Sequence, residues 1–443
     1  MAKIVIIGNG ISGVTAARHI RKNSDHEITI VSGESEHFFS RTALMYVYMG
    51  HMRWQDIKPY EDWFWEKNRI NLLHAWVSEI DFENKLLITK NKGNVPYDKL
   101  ILALGSKPNM FGWPGQNLDG VQGLYSKQDL EKVEKYSPST NQAVIVGGGL
   151  IGVELAEMFV SRGIKVTFLV RENKFWGNVL PTEEGALIMR HIRKHHIDLR
   201  LESELGEIID DGNGRVSSVK TKAGEIIPCQ MVGLTAGVSP NIDFIKNSKI
   251  ETKAGVLINQ YFETSQPDVY AIGDCAQFIE PVNGRRPLEQ VWYTGRIMGE
   301  TIAQTICGTK KAYQPGPWFN SAKFFDIEYQ TYGNVNATMA DDESHFYWEH
   351  KDGEKCIHIV WDNATNLFKG INVFGIRMRH DLFDTWLKQN KSVDEVMANL
   401  RAANFDPEFY SLHEQEIVDA YNKSTGKNIV LKPKTWWINL ITA

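Results

Sequence analysis

The chain has 443 residues, of which 42% are hydrophobic and 23% charged, and its formal net charge is −5. This length suggests about three domains, and the composition excludes disordered and collagen-like classes. The negative charge provides no general basic field for nucleic acid or an anionic membrane. No apolar run approaches the roughly 20 residues of a membrane-spanning helix. We therefore expect no nucleic-acid partner and no integral membrane segment.

The chain opens with a pattern that we name the first glycine motif. It comprises an apolar strand (Lys3 to Gly8), a glycine-rich turn, a helix of about ten residues (Val14 to Lys22) and a second strand (Glu27 to Val31). In such a βαβ unit the first glycine makes the turn, the second lets a pyrophosphate approach the backbone, and the third lets helix and strand pack closely. The three glycines are Gly8, Gly10 and Gly13.

A second glycine motif repeats the pattern. An apolar strand (Ala143 to Val146), a glycine-rich turn, a helix (Val153 to Arg162) and a strand (Lys165 to Val170) follow one another. One G-x-G-x-x-G run is weak evidence, but two copies placed between strand and helix favour two dinucleotide sites over two unrelated turns. The glycines are Gly147, Gly149 and Gly152.

Short strands and turns follow, including a hairpin signal at Asn213-Gly214. A turn-rich boundary is expected near Thr309 to Pro317, and the remaining residues have the pattern of strands followed by helices. Ser392-Val-Asp-Glu395 is a capping box for the second of those helices. The predicted strands run over Phe324 to Gly333, His345 to His350, Cys356 to Trp361 and Leu367 to Phe374, and the predicted helices over His380 to Lys388 and Val393 to Ala402.

Three further segments complete a family pattern: Ile101 to Asn109, Gly237 to Asn241 and Tyr270 to Ala276. With the two glycine motifs in this order, the chain resembles the pyridine nucleotide-disulfide oxidoreductase superfamily of two-dinucleotide-domain flavoproteins. The resemblance implies an α/β fold with two Rossmann-like domains and an α+β C-terminal domain. The implied boundaries are 1–115 and 250–312 for the FAD domain, 116–249 for the NAD(P)H domain, and 313–443 for a C-terminal interface or dimerisation domain with a tail extension.

The resemblance assigns FAD to the first glycine motif. Glu34 would accept hydrogen bonds from the adenosine ribose, although a solvated loop acid is the alternative. Arg41 would lie near the pyrophosphate, and the backbone of Val77 would meet the adenine. Asp274 would bond the ribityl hydroxyls, with helix N-capping as its alternative role. The other cofactor-binding residues implied are Gly105, Gly237, Gly273, Gln290 and Trp292.

The second glycine motif would hold NADPH or NADH. An NAD site usually has a carboxylate at the end of the second strand, but here Val170 is followed by Arg171. A guanidinium suits a 2′-phosphate, so Arg171 and Lys174 favour NADPH. Glu172 and the glycine at position 152 favour NADH, and the choice stays open.

The usual redox-active cysteine of the family is missing. Thr42 occupies its position, and the four cysteines (Cys229, Cys275, Cys307 and Cys356) are scattered. A threonine hydroxyl forms no mixed disulfide, so the flavin would pass electrons directly to the acceptor, as in the ferredoxin and rubredoxin reductases and the nitrite reductase NAD(P)H-binding segment. Glu154 would orient the nicotinamide. Tyr46 stands where relatives often have a lysine that pairs with that acid, so Tyr46 or Arg41 would take the part of the lysine.

These features predict an FAD-dependent NAD(P)H oxidoreductase whose acceptor is a small redox protein, such as an iron–sulfur protein. The alternatives are a quinone or other small-molecule reductase and a flavin-based redox sensor resembling apoptosis-inducing factor. Four isolated thiols fit a reducing compartment, and no signal peptide is evident. A cytoplasmic location is therefore predicted. A homodimer is an open expectation.

Three remaining features are a pair of histidines and two groups of aromatic residues. His191 and His195 have the i, i+4 spacing of a zinc pair, but no third ligand is evident, and basic neighbours favour a solvated helix face, so no metal is predicted. Trp318 or Phe325 would either shield the flavin or pack in the core. Trp436 and Trp437 in the tail would dock on the chain or on a homodimer partner, or else touch a membrane interface.

Overall fold

The computed structural model describes residues 1–282, 284–405 and 411–433. Among these residues, no helix combines the length and the apolar character needed to pass through a bilayer. The helices are α1 (Ile11–Asn23), α2 (Leu44–Tyr48), α3 (Trp63–Lys67), α4 (Lys127–Tyr136), α5 (Leu150–Ser161), α6 (Thr182–Lys194), α7 (Trp292–Ile306), α8 (His380–Lys388), α9 (Val393–Ala398) and α10 (Glu414–Thr425).

The strands are mostly short, and the longest lie near the C-terminus. Up to the second glycine motif they are β1 (Lys3–Ile7), β2 (Glu27–Ser32), β3 (Ile70–His74), β4 (Val77–Asp81), β5 (Leu86–Thr89), β6 (Asn94–Pro96), β7 (Lys99–Leu102), β8 (Ser106–Pro108), β9 (Val121–Gln122) and β10 (Gln142–Val146). The following strands are β11 (Lys165–Leu169), β12 (Asp198–Arg200), β13 (Leu205–Asp210), β14 (Val216–Thr221), β15 (Ile226–Pro228), β16 (Met231–Leu234), β17 (Val238–Pro240), β18 (Val256–Ile258), β19 (Val269–Ala271) and β20 (Ala276–Phe278). The last are β21 (Phe319–Phe324), β22 (Ile327–Gly333), β23 (Glu343–Glu349), β24 (Cys356–Asp362) and β25 (Phe368–Phe374).

The residues group into two compact units. The first unit consists of Met1–Gly147, Met158–Lys165 and Leu205–Pro315, and the second of Gly148–Glu157, Val166–Glu204 and Gly316–Ala443. The three-domain division stays a prediction.

The first unit is built on a parallel sheet with the strand order β19-β7-β1-β2-β3. Its strands are apolar on both faces because helices cover such a sheet; Ile4, Ile6, Leu100 and Ile101 are fully buried. Helix α7 packs along α1. Strands β9, β16 and β10 form a second parallel ladder, and β13 and β14 form the antiparallel hairpin predicted at Asn213-Gly214.

The second unit contains the parallel pair β11–β12 and an antiparallel sheet with the order β21-β22-β25-β24-β23. Side chains of α8, α9 and α10 share a buried core with this sheet, including Phe383, Val396 and Tyr421. The predicted capping box is confirmed, because the Ser392 hydroxyl accepts from the Glu395 N–H at 3.2 Å. Parallel sheets in the first unit and an antiparallel sheet with helices in the second confirm the predicted fold class.

The C-terminal elements differ from the predictions in three places. The strand predicted from Phe324 onward begins instead at Ile327, because a two-residue turn at 325–326 separates it from β21. The helix predicted to reach Ala402 ends at Ala398 and continues as a 3₁₀ turn over Leu400–Ala403. Helix α10 was not predicted.

Trp436 and Trp437 lie outside the described residues, so the roles suggested for them stay predictions. Just before them, the Lys432 N–H donates to the Ala398 carbonyl at 2.8 Å. The chain is therefore attached to the end of α9 at that point.

Candidate functional site

The turn between β1 and α1 has the geometry of a phosphate cradle. Gly8 has φ +110°, and a methyl group there would lie 2.1 Å from the Ala103 carbonyl oxygen. No other residue fits so close an approach. A methyl group at Gly10 would meet no atom of the described protein within 4 Å. Space thus stays open over Gly10, in front of the N–H groups that begin α1, where an anion is stabilised.

The second glycine motif repeats this arrangement. Gly147 has φ +117°, and a methyl group there would lie 2.7 Å from the Thr235 carbonyl oxygen. Gly149, like Gly10, has no described atom within 4 Å of that position. Gly13 and Gly152 are buried in α1 and α5. Both motifs therefore fit a dinucleotide pyrophosphate.

Glu34 and Arg41 form an ion pair with each other. The Arg41 guanidinium donates to both carboxylate oxygens of Glu34, at 2.9 and 2.6 Å. The Lys127 N–H donates to the same carboxylate at 3.0 Å, and the Glu34 side chain is only 19% exposed. Glu34 is therefore not a solvated loop acid. Its bond to a ribose and the contact of Arg41 with a pyrophosphate stay predictions.

Asp274 lies at the centre of a buried polar cluster. The Ser106 hydroxyl and the Tyr125 hydroxyl donate to its Oδ2 at 3.0 and 3.2 Å. Burial raises the pKa of the Asp274 carboxyl, and these hydrogen bonds oppose that rise. The Gln290 side-chain amide donates to the Ser106 hydroxyl at 2.7 Å. A buried carboxylate so placed suits the hydroxyls of a ribityl chain.

The alternative role suggested for Asp274, capping the N-terminus of a helix, is wrong. No helix follows it, because residues Gly273–Cys275 form a 3₁₀ turn that leads into β20. Sequence reasoning also missed Ser106 and Tyr125 as partners. Tyr125 is 149 residues from Asp274, and no local pattern marks that pairing.

Two connecting segments that carried the family resemblance meet in the structure. Gly105 (φ +67°) precedes β8 and Gly237 (φ +89°) precedes β17. The two strands pair antiparallel, with Ser106 opposite Pro240. Trp292 begins α7, and its ring contacts that of Tyr293 edge-on at 5.3 Å.

Val77 begins β4, and its neighbour Trp76 is a residue that sequence reasoning did not select. The Trp76 side chain is 55% exposed. Its indole covers Gly33, where a methyl group would lie 2.2 Å from the ring. An exposed indole beside the end of β2 offers a stacking face for a flat ring.

The residues predicted near the redox centre occupy both units. In the first unit, Thr42 lies in a 3₁₀ turn with its hydroxyl 3.3 Å from that of Ser40, and the Tyr46 ring stacks on His51 at 6.2 Å. In the second unit, burial raises the pKa of Glu154 to about 7, with the nearby charge of Glu157 adding to the rise. The pairing of Glu154 with Tyr46 or Arg41 stays a prediction.

Arg171 and Lys174 follow β11 in the second unit. The Arg171 side chain is 72% exposed and pairs with Glu172 at 2.8 Å. The Lys174 ammonium donates to the Leu180 carbonyl at 3.4 Å. Phe325 is 3% exposed and stacks on His195, as core packing predicts.

All four cysteines are free thiols. Burial raises the pKa of Cys229 and of Cys275 to about 12, and burial raises that of Cys356 well above its usual value. These three thiols are therefore un-ionised at neutral pH and poor nucleophiles.

Known proteins match this architecture. A family model described as pyridine nucleotide-disulphide oxidoreductase matches residues 2–301. The nitrite reductase [NAD(P)H] of Bacillus subtilis (strain 168) is 29% identical over 75% of this chain and 41% of its own length. The assimilatory nitrate reductase electron transfer subunit of the same organism is 26% identical over 96% of this chain and 54% of its own length. This chain thus spans only about half, or less, of those two relatives.

A solved structure resembles nearly the whole chain. The NADH:rubredoxin oxidoreductase from Clostridium acetobutylicum superposes with a TM-score of 0.69 at 25% identity, covering 94% of this chain and 99% of the other. Oxidoreductase chemistry with FAD and NADPH or NADH, predicted from the sequence, is confirmed at the level of the family. With two-thirds of its length matched and both dinucleotide cradles formed, this chain belongs to the pyridine nucleotide-disulphide oxidoreductase family.

Proposed function

We propose that this chain is a reductase that passes electrons from NADPH or NADH through FAD directly to a small redox protein such as a ferredoxin or rubredoxin. The observation that carries the proposal is the state of the thiols. Thr42 stands where the family's redox cysteine would be, and Cys229, Cys275 and Cys356 are buried with raised pKa values. A relay through a thiolate therefore has no candidate among these three residues.

The first glycine motif would hold FAD and the second the nicotinamide nucleotide. Gly10 and Gly149 leave room for the two pyrophosphates, and Asp274, with Ser106 and Tyr125 behind it, would bond the ribityl hydroxyls. When bound, FAD accepts a hydride from the nicotinamide and can release its two electrons singly. That property suits a one-electron acceptor.

Glu154 would act as a positioning residue for the nicotinamide. A carboxylate accepts hydrogen bonds, whereas a protonated carboxyl also donates one. With a pKa of about 7, the Glu154 carboxyl changes between these two forms near neutral pH. We infer that its ionised form orients the nicotinamide carboxamide by accepting from the amide N–H.

The names of two relatives, a nitrite reductase and an assimilatory nitrate reductase electron transfer subunit, favour a particular class of acceptor. The match to an assimilatory nitrate reductase electron transfer subunit extends over 96% of this chain, including the C-terminal sheet. A second candidate acceptor is accordingly a redox-active subunit of a nitrogen-assimilating reductase.

The test replaces all four thiols in the flavin-loaded protein. The variant Cys229→Ser, Cys275→Ala, Cys307→Ser, Cys356→Ala should keep NAD(P)H:ferricyanide turnover and turnover with a small iron–sulfur protein, scored per bound flavin. Loss of turnover in a folded, flavin-loaded variant would contradict direct transfer. If the unmodified protein's flavin were reduced by NAD(P)H but stayed reduced with both acceptors, the sensor alternative would replace the reductase.

A further inference from the structure

Two histidines and an aspartate converge in the second unit. His191 and His195 lie one turn apart on α6, and Asp326 lies in the two-residue turn between β21 and β22. The ligand atoms are Nε2 of each histidine and Oδ1 of the aspartate. The turn thus supplies the third group that the sequence did not reveal, 131 residues from His195.

The three atoms are spaced as the ligands of one small cation would be. The two Nε2 atoms are 3.3 Å apart, and Oδ1 is 2.6 Å from the His191 nitrogen and 3.2 Å from the His195 nitrogen. A tetrahedral Zn²⁺ with bonds of about 2.0–2.1 Å places its ligand atoms about 3.3 Å apart. Two spacings already match, and the third, between His191 Nε2 and Asp326 Oδ1, would have to lengthen from 2.6 Å by about 0.7 Å.

Hydrogen bonding alone satisfies this arrangement poorly. If both ring nitrogens donate to Oδ1, two N–H groups face each other at 3.3 Å. If only one donates, the lone pair of the other ring faces an acceptor. A cation at the centre would satisfy all three lone pairs at once, which is how imidazole and carboxylate ligands bind metal.

The ligands are held in place by their surroundings. The Phe325 ring stacks on the His195 ring with centroids 4.2 Å apart and an interplanar angle of 11°. Phe325 itself adopts φ +57°, a left-handed conformation that is unfavourable for a bulky residue. That conformation turns the chain sharply and presents Asp326 to α6. The His191 side chain is only 2% exposed, so its ring has little freedom.

The charges around the cluster allow a cation to enter. Two neighbouring cations of α6 are neutralised, because Arg190 pairs with Glu349 and Lys194 pairs with Glu354. The side chains of His195 and Asp326 are 30% and 67% exposed, so solvent reaches the site.

We propose that His191, His195 and Asp326 bind a divalent transition-metal ion of the zinc class, with water completing the coordination. Two imidazoles and one carboxylate suit Zn²⁺ better than Mg²⁺ or Ca²⁺, which prefer oxygen alone. Co²⁺ and Ni²⁺ would occupy the same ligands. The ion would join α6 to the β21–β22 turn, both within the second unit.

A second group of metal-binding side chains provides an internal comparison. His350, His413 and Glu416 also bring their ligand atoms within 4.8 Å of one another. We place the zinc at the His191 cluster because its ligand atoms lie 2.6–3.3 Å apart, and we use the other group as a control.

The experiment measures zinc in the FAD-loaded, tag-free protein after removal of metal with a chelator. Equilibrium dialysis against Zn²⁺ should give one tightly bound equivalent. Asp326→Asn and His195→Ala should each lower the affinity for this zinc ion at least tenfold to a hundredfold. Losses of that size are known even for residues that only support the ligands. His196→Asn, an exposed neighbour, and Glu416→Gln, in the second group, should leave it unchanged.

Thermal melting gives an independent readout, because a ligand that binds only the folded state raises the melting temperature. Zinc should raise the melting temperature of the unmodified protein and of His196→Asn, but not that of Asp326→Asn. Equal binding by Asp326→Asn, loss of the equivalent only in Glu416→Gln, or no stoichiometric zinc in the unmodified protein would each overturn the proposal. None of these readouts depends on reductase activity.

Discussion

The two glycine motifs share a backbone plan and differ in the charge that follows their second strand. Glu34 stands two residues after β2, and Arg171 stands two residues after β11. Both turns place a left-handed glycine, Gly8 or Gly147, against a neighbouring carbonyl, and both leave the space over the second glycine of the motif, Gly10 or Gly149, open. The plan for holding a pyrophosphate is thus repeated, while the group at the strand end is specific to each motif.

The surroundings of those two charges differ as well. Glu34 is 19% exposed and is held by two hydrogen bonds from Arg41 and one from the Lys127 N–H. Arg171 is 72% exposed and pairs with the adjacent Glu172. The first charge is therefore fixed before any nucleotide arrives, whereas the second must give up an exposed ion pair. This difference suits a tightly held FAD and an exchangeable nicotinamide nucleotide.

The largest expected effect comes from breaking the first turn itself. Gly8→Ala combines a left-handed φ with a contact 2.1 Å from the Ala103 oxygen, and strain of this kind costs about 1–3 kcal/mol before the clash is counted. The variant should fold poorly and lose FAD. Gly10→Ala should melt like the unmodified apoprotein yet bind FAD more weakly. Flavin absorbance and melting curves would distinguish the two, and a Gly8→Ala protein with full flavin content would contradict this account of the turn.

The next effect tests the buried carboxyl that supports the first motif. Asp274→Ala removes the acceptor of the Ser106 and Tyr125 hydroxyls and the proposed bonds to the ribityl chain. Hydrogen bonds to charged groups contribute about 1.5–3 kcal/mol each. Loss of two such bonds between Asp274 and the ribityl chain should therefore weaken FAD binding at least about a hundredfold. Flavin retained through gel filtration measures the loss. Glu251→Ala, an exposed acid of the same unit, is the control, and full retention by Asp274→Ala would exclude the role.

A smaller effect tests the charge after the second motif. Arg171→Ala should raise the KM for NADPH about tenfold and change that for NADH little, because a charge-assisted contact to a 2′-phosphate would be lost. Glu172→Gln should act in the opposite direction, because it frees the Arg171 guanidinium from its ion pair. Steady-state kinetics with both nucleotides measure these changes. Equal changes for NADPH and NADH would show that Arg171 does not bind the 2′-phosphate.

The smallest effect is the pH dependence of Glu154, whose pKa is raised to about 7. The ionised form is proposed to orient the nicotinamide, so kcat/KM for NAD(P)H should rise as the pH increases through about 7, and Glu154→Gln should lack this rise. A raised pKa in the folded state also means that stability falls as pH increases from the unfolded value toward 7 and then levels. Melting at pH 5.5 and 8 should therefore differ less in Glu154→Gln. Identical pH profiles of kcat/KM for the unmodified protein and for Glu154→Gln would contradict the role proposed for Glu154.

Much of the first unit was predictable because its determinants are local. The runs Lys3 to Gly8 and Ala143 to Gly149 are short enough that the period of the apolar residues and the steric needs of glycine decide their conformation. The capping box at Ser392 is local in the same way. The C-terminal strands were found for this reason too, but the turn at Phe325 was missed, because a phenylalanine at φ +57° contradicts the usual turn chemistry.

The two glycine motifs and the family could be identified from short sequence patterns, because each depends on which residue stands at a given place. The replacement of a redox cysteine by Thr42 was predicted in the same way and stays a prediction. By contrast, the pairing of Arg41 with Glu34, the hydrogen bond from Tyr125 to Asp274 and the meeting of Asp326 with His191 and His195 could be seen only in the folded chain. These partners are brought together by chain folding over distances that no local period records. The same holds for the raised pKa of Glu154, because burial depends on everything that packs around a side chain.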